Sequence, residues 1–199
     1  EINDLVIVYT GRIYPGRRDP SPLFEAMRIL DGQHAVRAVF YGADQWQIVP
    51  VAASFGVDHL VSVHPHVPYE KSLKAQMQAD VLLFMQWNDP REEGNVPGKL
   101  FEYLAARRPI LALGYENTVP ANIVRERAAG FFINDPAKIA AQLEAWIEEK
   151  RTTGCVARLP RSVPQGFSRE EQFATLLAFL ERVTGPVNSL AEYPAGAAR

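Results

Sequence analysis

Gly94-Asn-Val-Pro-Gly-Lys-Leu-Phe-Glu-Tyr-Leu-Ala-Ala-Arg-Arg-Pro-Ile-Leu-Ala-Leu113 reads as loop, helix, tight turn and buried strand. Pro97 and Gly98 open the helix, since proline at a first helical position gives up an N–H that has no intrahelical partner. Leu100, Phe101, Leu104 and Ala105 recur at helical spacing. Pro109 ends the helix, and Ile110 to Leu113 is an apolar run of strand length. A glycine-bearing entry leaves backbone N–H groups and the positive end of the helix dipole facing outward, which suits a phosphate. Lys99 stands at that mouth, with Glu102 behind it. A cation in front and a carboxylate behind suit a diphosphate and a sugar's hydroxyls. From this stretch alone, an ordinary surface helix carrying a Lys and a Glu reads equally well.

Working outward, strands and helices alternate. Leu5-Val6-Ile7-Val8-Tyr9 is a β-branched run fit for a strand buried on both faces. A polar loop with Gly11, Arg12, Arg17 and Arg18 follows. Asp19-Pro20 or Ser21-Pro22 caps a helix with Leu23, Phe24, Met27 and Leu30 on one face. Further strands are expected at Val36–Tyr41, His59–Val63, Val81–Met85 and Phe131–Ile133. Between them lie a weaker helix from Gln45 to Phe55, kinked or delayed by Pro50, and one carrying Leu73, Ala75 and Met77. A helix from Val119 to Ala129 follows, then one capped by Asp135-Pro136 and running to about Lys150. Residues 152–166 read as a connector, and Ser168 with Glu171 as a capping box for a last helix to Arg182. The fold class is α/β, a Rossmann-like doubly wound parallel sheet of about six strands with helices on both faces. Ligands bind such sheets beyond the carboxyl ends of the strands, where the loops at 11–18, 42–44, 64–69 and 86–99 meet.

Composition narrows the function. The chain has 199 residues, 47% hydrophobic and 22% charged, with net charge -2. That balance gives no electrostatic reason to expect nucleic acid or an anionic membrane surface as partner. The single cysteine, Cys155, excludes an internal disulfide and a cysteine-rich metal site. No apolar run approaches the ~20 residues that span a bilayer. A cytoplasmic setting fits, with the full-length protein at the inner face of the membrane. Glu1 stands almost directly before a strand, so the chain reads as a piece of something longer.

Pro97 to Ala105, followed by Arg108-Pro109-Ile110-Leu111, resembles the donor-binding motif of retaining glycosyltransferases of the GT-B fold, in particular the family-four-like group. The resemblance implies that Glu102 binds the ribose of a nucleotide sugar, and that the helix start at Pro97, Gly98 and Leu100 holds the pyrophosphate. Gly11-Arg12, with Arg17 five positions on where a Lys is usual, resembles the group's cationic pair that contacts the diphosphate. Arg suits phosphate oxygens by bidentate donation. His66-Val67-Pro68, then Ala79-Asp80-Val81, resembles the base-recognition loop and the strand after it, with backbone near Val67 meeting the nucleobase. The likeness runs from about Leu5 to Arg182. It implies one donor-binding domain over residues 1–184, including a crossover helix at about 168–182, and a loose tail at 185–199. It also implies an N-terminal acceptor domain missing from this chain, which would bring an acceptor glycan or lipid-linked acceptor. The implied reaction is transfer from a nucleotide-diphosphate sugar in polysaccharide or glycoconjugate assembly. It retains configuration, needs no metal or other cofactor, and relies on Arg12, Arg17 and Lys99. The isolated piece is expected to bind donor without turning it over.

One departure affects the sugar. The group commonly carries two glutamates separated by seven residues, the second at the Glu102 position, and the first falls at Gly94, which has no carboxylate. Glu92 or Glu93 by a loop shift, or Asn95 by donating to the sugar, would replace it; plain loop charge is the other reading of the two glutamates. His64 and His66, split by a proline without a Cys or Asp cluster, read as turn residues rather than metal ligands. No Gly-x-Gly-x-x-Gly follows a strand, Gly98-Lys99-Leu100 lacks the P-loop hydroxyl, and no Asp-x-Asp or Gly-x-Ser-x-Gly occurs. Two other readings stay open. A nucleotide-sugar epimerase of the same fold needs carboxylates and histidines poised at the sugar. A non-catalytic flavodoxin-like module needs no basic cluster at the strand ends.

Overall fold

β1 (Leu5–Thr10) supplies the centre of the sheet because its β-branched run can bury both faces. The computed structural model describes residues 4–30 and 36–185, so the expected loose tail lies, from 186 on, outside them. Five parallel partners complete the sheet: β2 (Val36–Tyr41), β3 (Val61–His64), β4 (Val81–Met85), β5 (Ile110–Leu113) and β6 (Gly130–Phe132). Their order is β3-β2-β1-β4-β5-β6. The direction of winding therefore reverses between β1 and β4, the place where doubly wound sheets open a crevice. β4 is buried throughout, whereas the edge strand β3 alternates half-buried and exposed residues. A Cβ at Gly130 would lie on the carbonyl of Ile110, so only glycine lets β6 pair there.

The helices are α1 (Ser21–Leu30), α2 (Gln45–Ser54), α3 (Tyr69–Gln78), α4 (Lys99–Ala106), α5 (Val119–Glu126), α6 (Pro136–Thr153) and α7 (Arg169–Thr184). α1 packs on α6 and α3 on α4. Alternation along β1 sorts its side chains between them. Leu5, Ile7 and Tyr9 join a core with Leu23, Phe24 and Met27 of α1 and Ile139, Leu143 and Trp146 of α6. Thr10, on the other parity, meets Tyr103 of α4 and Gln76 of α3. A buried ion pair ties the far end together: Lys150 Nζ lies 2.6 Å from Asp80 and donates to the Asp4 carbonyl at 2.7 Å. Asp80 also accepts from the Val6 amide, so the motif aspartate before β4 pins strand to strand.

Several boundaries differ from the sequence expectation. The third strand starts at Val61, because Asp58–Leu60 forms a 3-10 turn. α2 begins at Gln45 as expected and runs to Ser54, so Pro50 does not delay its start. α6 runs to Thr153, where Gly154 caps it at φ +85°. The organising helix starts at Lys99 with Gly98 as its cap, so Pro97 precedes the helix. It ends at Arg107, which takes the left-handed φ of +56° that glycine usually fills. Arg107 exchanges bonds with Leu159, its carbonyl accepting from the Leu159 amide and its Nε donating to the Leu159 carbonyl.

The chain divides into two compact units, Glu1–Val163 and Pro164–Arg199. In the second, the capping box of Ser168 and Glu171 starts α7, and Phe173, Leu176 and Leu177 on it are exposed. Among the described residues no helix is long and apolar enough to cross a membrane.

Candidate functional site

Beyond the carboxyl end of β1 the chain turns at Gly11, whose φ of +121° suits glycine and whose amide donates to the Tyr41 carbonyl at 2.7 Å. Lys99, the first residue of α4, reaches under this turn. A Cβ on Gly11 would stand 2.5 Å from Lys99 Nζ. The sequence predicts neither glycine's purpose nor the lysine's direction, because the two residues are far apart in the chain.

Lys99 Nζ is buried and has no hydrogen-bond partner. It rests 3.9 Å from the centroid of the Tyr9 ring. Burial, then the charge of Arg18, pulls its pKa down to about 7 against the weaker pull of Glu102. The phenol of Tyr9 is 1% exposed, donates to the Arg12 carbonyl at 2.8 Å and accepts from Arg18 at 3.1 Å. Tyr9 thus sits at the hub of Arg12, Arg18 and Lys99.

Glu102 lies in the first turn of α4 and accepts from Gln76 Nε2 at 3.1 Å. The same nitrogen donates to Thr10 Oγ1 at 3.0 Å, and Ser72 Oγ lies 3.5 Å away. The Thr10 amide donates to the Tyr103 hydroxyl at 3.0 Å. β1, α3 and α4 are therefore joined by a polar chain behind the turn. Gln76 is fully buried, yet its Oε1 has no partner. Together with Lys99 Nζ it leaves buried hydrogen-bonding capacity without a partner.

Arg12 and Gly11 line a cavity of about 300 Å³ with Tyr41, His66, Val67 and Tyr69. The Gly11-Arg12 turn and the His66-Val67 loop, read separately in the sequence, thus come together. His64 stacks on Tyr41 at 4.8 Å between ring centroids, a packing role. Arg17 is elsewhere: it lies over Trp87 at 4.9 Å and lines a second cavity of about 360 Å³ with Trp87, Asn88, Gly114 and Asn134.

The loop before α4 is self-occupied. The Asn95 side-chain amide donates to Glu92 at 2.7 Å, and the Asn95 backbone carbonyl accepts from the Gln86 side chain at 2.9 Å. Gly94 has open space where a side chain would stand. The carbonyls of Pro97 and Gly98 accept from the Leu100 and Phe101 amides, so these first-turn donors are already used. The Leu100 side chain is fully buried and serves the core.

Sequence reading missed Tyr9, Arg18 and Gln76. Gln76 had no signal beyond its spacing of four from Ser72, because Leu73, Ala75 and Met77 drew the apolar reading of this helix, whereas Gln76 is the buried residue and Met77 is half exposed. Arg18 had only its adjacency to Arg17. Among the described residues no three His, Cys, Asp or Glu side chains form a metal-holding group.

The sequence model of the family described as Glycosyl transferases group 1 matches residues 4–149. No curated protein matches the chain. Among solved structures, Anabaena HepE in complex with UDP-glucose is 17% identical with a TM-score of 0.67, over 89% of this chain and 50% of that one. A glycosyltransferase from Rickettsia africae gives 13% and 0.66, over 91% and 48%. WaaG, a glycosyltransferase of lipopolysaccharide biosynthesis, gives 17% and 0.59, over 92% and 48%. The chain thus spans about half the length of these structures and has the fold of that part of them.

Proposed function

The chain belongs to the group 1 glycosyl transferases, and we propose that it is the half of such an enzyme that holds the nucleotide sugar. The observation that carries this reading is Lys99: an ammonium buried without an acceptor, beneath a glycine turn at the switch point of the sheet. A buried cation without an acceptor is costly to a protein that needs nothing from it.

In this reading the diphosphate lies over the Gly11 turn. Arg12 and Lys99 neutralise it, Arg17 adds charge from the neighbouring cavity, and the α4 dipole contributes at its N-terminus. Glu102, oriented by Gln76, takes the ribose hydroxyls, and the nucleobase fills the 300 Å³ cavity beside Val67. As the bond from sugar to diphosphate breaks, charge grows on the leaving nucleoside diphosphate, and the cations hold it. In this reading the transfer is metal-independent and retains configuration, as the family resemblance implies. The sugar meets the segment from Gly94 to Pro97, where Asn95 must release Glu92 if it is to donate to the sugar. The acceptor, a glycan or lipid-linked glycan, would come with a further domain, and this chain alone would bind donor without turning it over. HepE is seen with UDP-glucose, so UDP is the first nucleotide to try.

The test is calorimetric titration in EDTA with UDP, GDP, ADP and dTDP, repeated on Glu102→Ala and Arg12→Ala. Saturable binding of one nucleotide, weakened by both substitutions, is expected. A folded chain that binds none of them refutes the reading.

A further inference from the structure

Resting on that nucleotide reading, the structure also carries a place for the sugar. Two cavities flank the switch point of the sheet. The one given to the nucleobase lies at the ends of β1, β2 and β3, lined by Gly11, Tyr41, Gly42, His66 and Val67. The second, of about 360 Å³, lies at the ends of β4, β5 and β6, where Trp87, Asn88, Gly114 and Asn134 meet Arg17 and Asp19. Strand order sets β1 beside β4 between the two, and Gly11 over Lys99 marks that place. A donor whose base fills the first cavity and whose diphosphate crosses the Gly11 turn therefore carries its sugar towards the second. The segment before α4 offers that sugar few side-chain partners, since Gly94 has none and Asn95 spends its amide on Glu92. Gln86 joins this segment to the second cavity: it lines the cavity and its side chain donates to the Asn95 carbonyl.

The polar groups of this cavity fall into two sets. The more buried ones are spent. Gln86 also accepts from the Thr118 hydroxyl at 3.3 Å, and Asn134 bonds both backbone groups of Gly114. The exposed ones are open. Arg17 lies over the Trp87 ring, and neither its guanidinium nor the Asn88 side chain makes a hydrogen bond among the described residues. Asp19, which also borders the cavity of Arg18 and Trp46, spends Oδ1 on the Ser21 amide and keeps Oδ2. Arg91 lies over the same indole at 4.2 Å, with its donors on Asp89. The rim thus offers the donors of a guanidinium, the acceptor of a carboxylate and an amide with both. Sugar hydroxyls, each a donor and an acceptor, call for that mixture. Arg17 is balanced by Asp19 and Arg91 by Asp89, so the rim suits a neutral ring rather than a uronate. We propose that this cavity holds the sugar of the donor, a neutral hexose, and that Asp19 and Asn88 read its hydroxyls.

The experiment is calorimetry in EDTA with the nucleoside diphosphate that the wild type prefers, free and carrying glucose, galactose or glucuronate. Asn88→Ala and Asp19→Asn should each weaken the tighter of the glucose and galactose derivatives by about three- to tenfold, the loss of one hydrogen bond. Binding of the free nucleoside diphosphate should stay unchanged in both. Asn88 is exposed, and Asp19→Asn keeps an oxygen for the Ser21 amide, so both variants should fold. The glucuronate derivative should bind no more tightly than the neutral ones. Equal losses on the free and the sugar-bearing nucleotide mean a structural role. No loss on either means that the sugar lies elsewhere, and tighter binding of glucuronate means that a charged sugar is preferred. Each of these overturns the proposal while nucleotide binding stands. If the wild type binds no nucleotide at all, the underlying reading fails, and this proposal fails with it.

Discussion

Replacing Lys99 by methionine should make the protein more stable and poorer at binding nucleotide. Methionine keeps the aliphatic stem and removes an ammonium that finds no acceptor. The folded protein holds the Lys99 proton weakly, with a pKa of about 7 against the ordinary 10.5, chiefly through burial. At pH 7 this difference corresponds to a folding penalty of up to about 4 kcal/mol. The sign follows from proton counting. Between pH 7 and 10.5 the unfolded chain binds this proton and the folded chain does not, so wild-type stability rises with pH across that window. Below pH 7 the penalty is complete and constant. The advantage of Lys99→Met should therefore be largest at pH 6 to 7 and shrink towards pH 10. Urea unfolding of both proteins at several pH values measures it, and the difference between them cancels other titrating groups. A variant less stable than wild type at pH 6.5, or an advantage that does not change with pH, would refute the reasoning. The first outcome would mean that Lys99 has a stabilising partner; the second would mean that its proton is held normally.

The same group makes nucleotide binding pH-dependent: affinity for a nucleoside diphosphate should fall about tenfold per pH unit above 7, because the neutral amine must take up a proton to meet the anion. Calorimetry in buffers of different ionisation enthalpy reads the proton uptake directly, and a flat profile between pH 6 and 9 would count against Lys99 as a ligand. Gly11→Ala should cost about 1–3 kcal/mol in thermal or urea unfolding and abolish tight nucleotide binding, since φ is +121° and the new Cβ meets Lys99 Nζ at 2.5 Å. Lys150→Ala should cost about 3–5 kcal/mol by leaving the buried Asp80 carboxylate without its cation, as read by urea unfolding. Arg151→Ala, which breaks an exposed pair with Glu148, should cost less than about 1 kcal/mol in the same assay.

The alternation of β-branched runs and amphipathic helices was enough to give the α/β class. β1, β4 and β5 were legible because strands buried on both faces must be apolar throughout. The edge strand β3 was misplaced by two residues, since at an edge one face meets solvent and the apolar signal fades. Caps at Asp135 and Ser168 were legible because a cap is a local hydrogen bond between residues close in sequence. Lys99 and Glu102 suggested a phosphate and a sugar by residue type, and Gly11 and Arg12 entered through the family resemblance, as a separate motif. What the sequence could not contain was their meeting. Lys99 passes under Gly11 only because strand order places the ends of β1 and β4 at a switch point. Tyr9 reads as one more core aromatic until the fold sets Arg18 on its hydroxyl and Lys99 on its ring. That Arg17 and Arg18 line different cavities was beyond spacing, because one residue's difference in a loop turns a side chain another way. Local chemistry is written in neighbouring residues; the strength of a charge depends on burial and on partners that only the folded chain brings near.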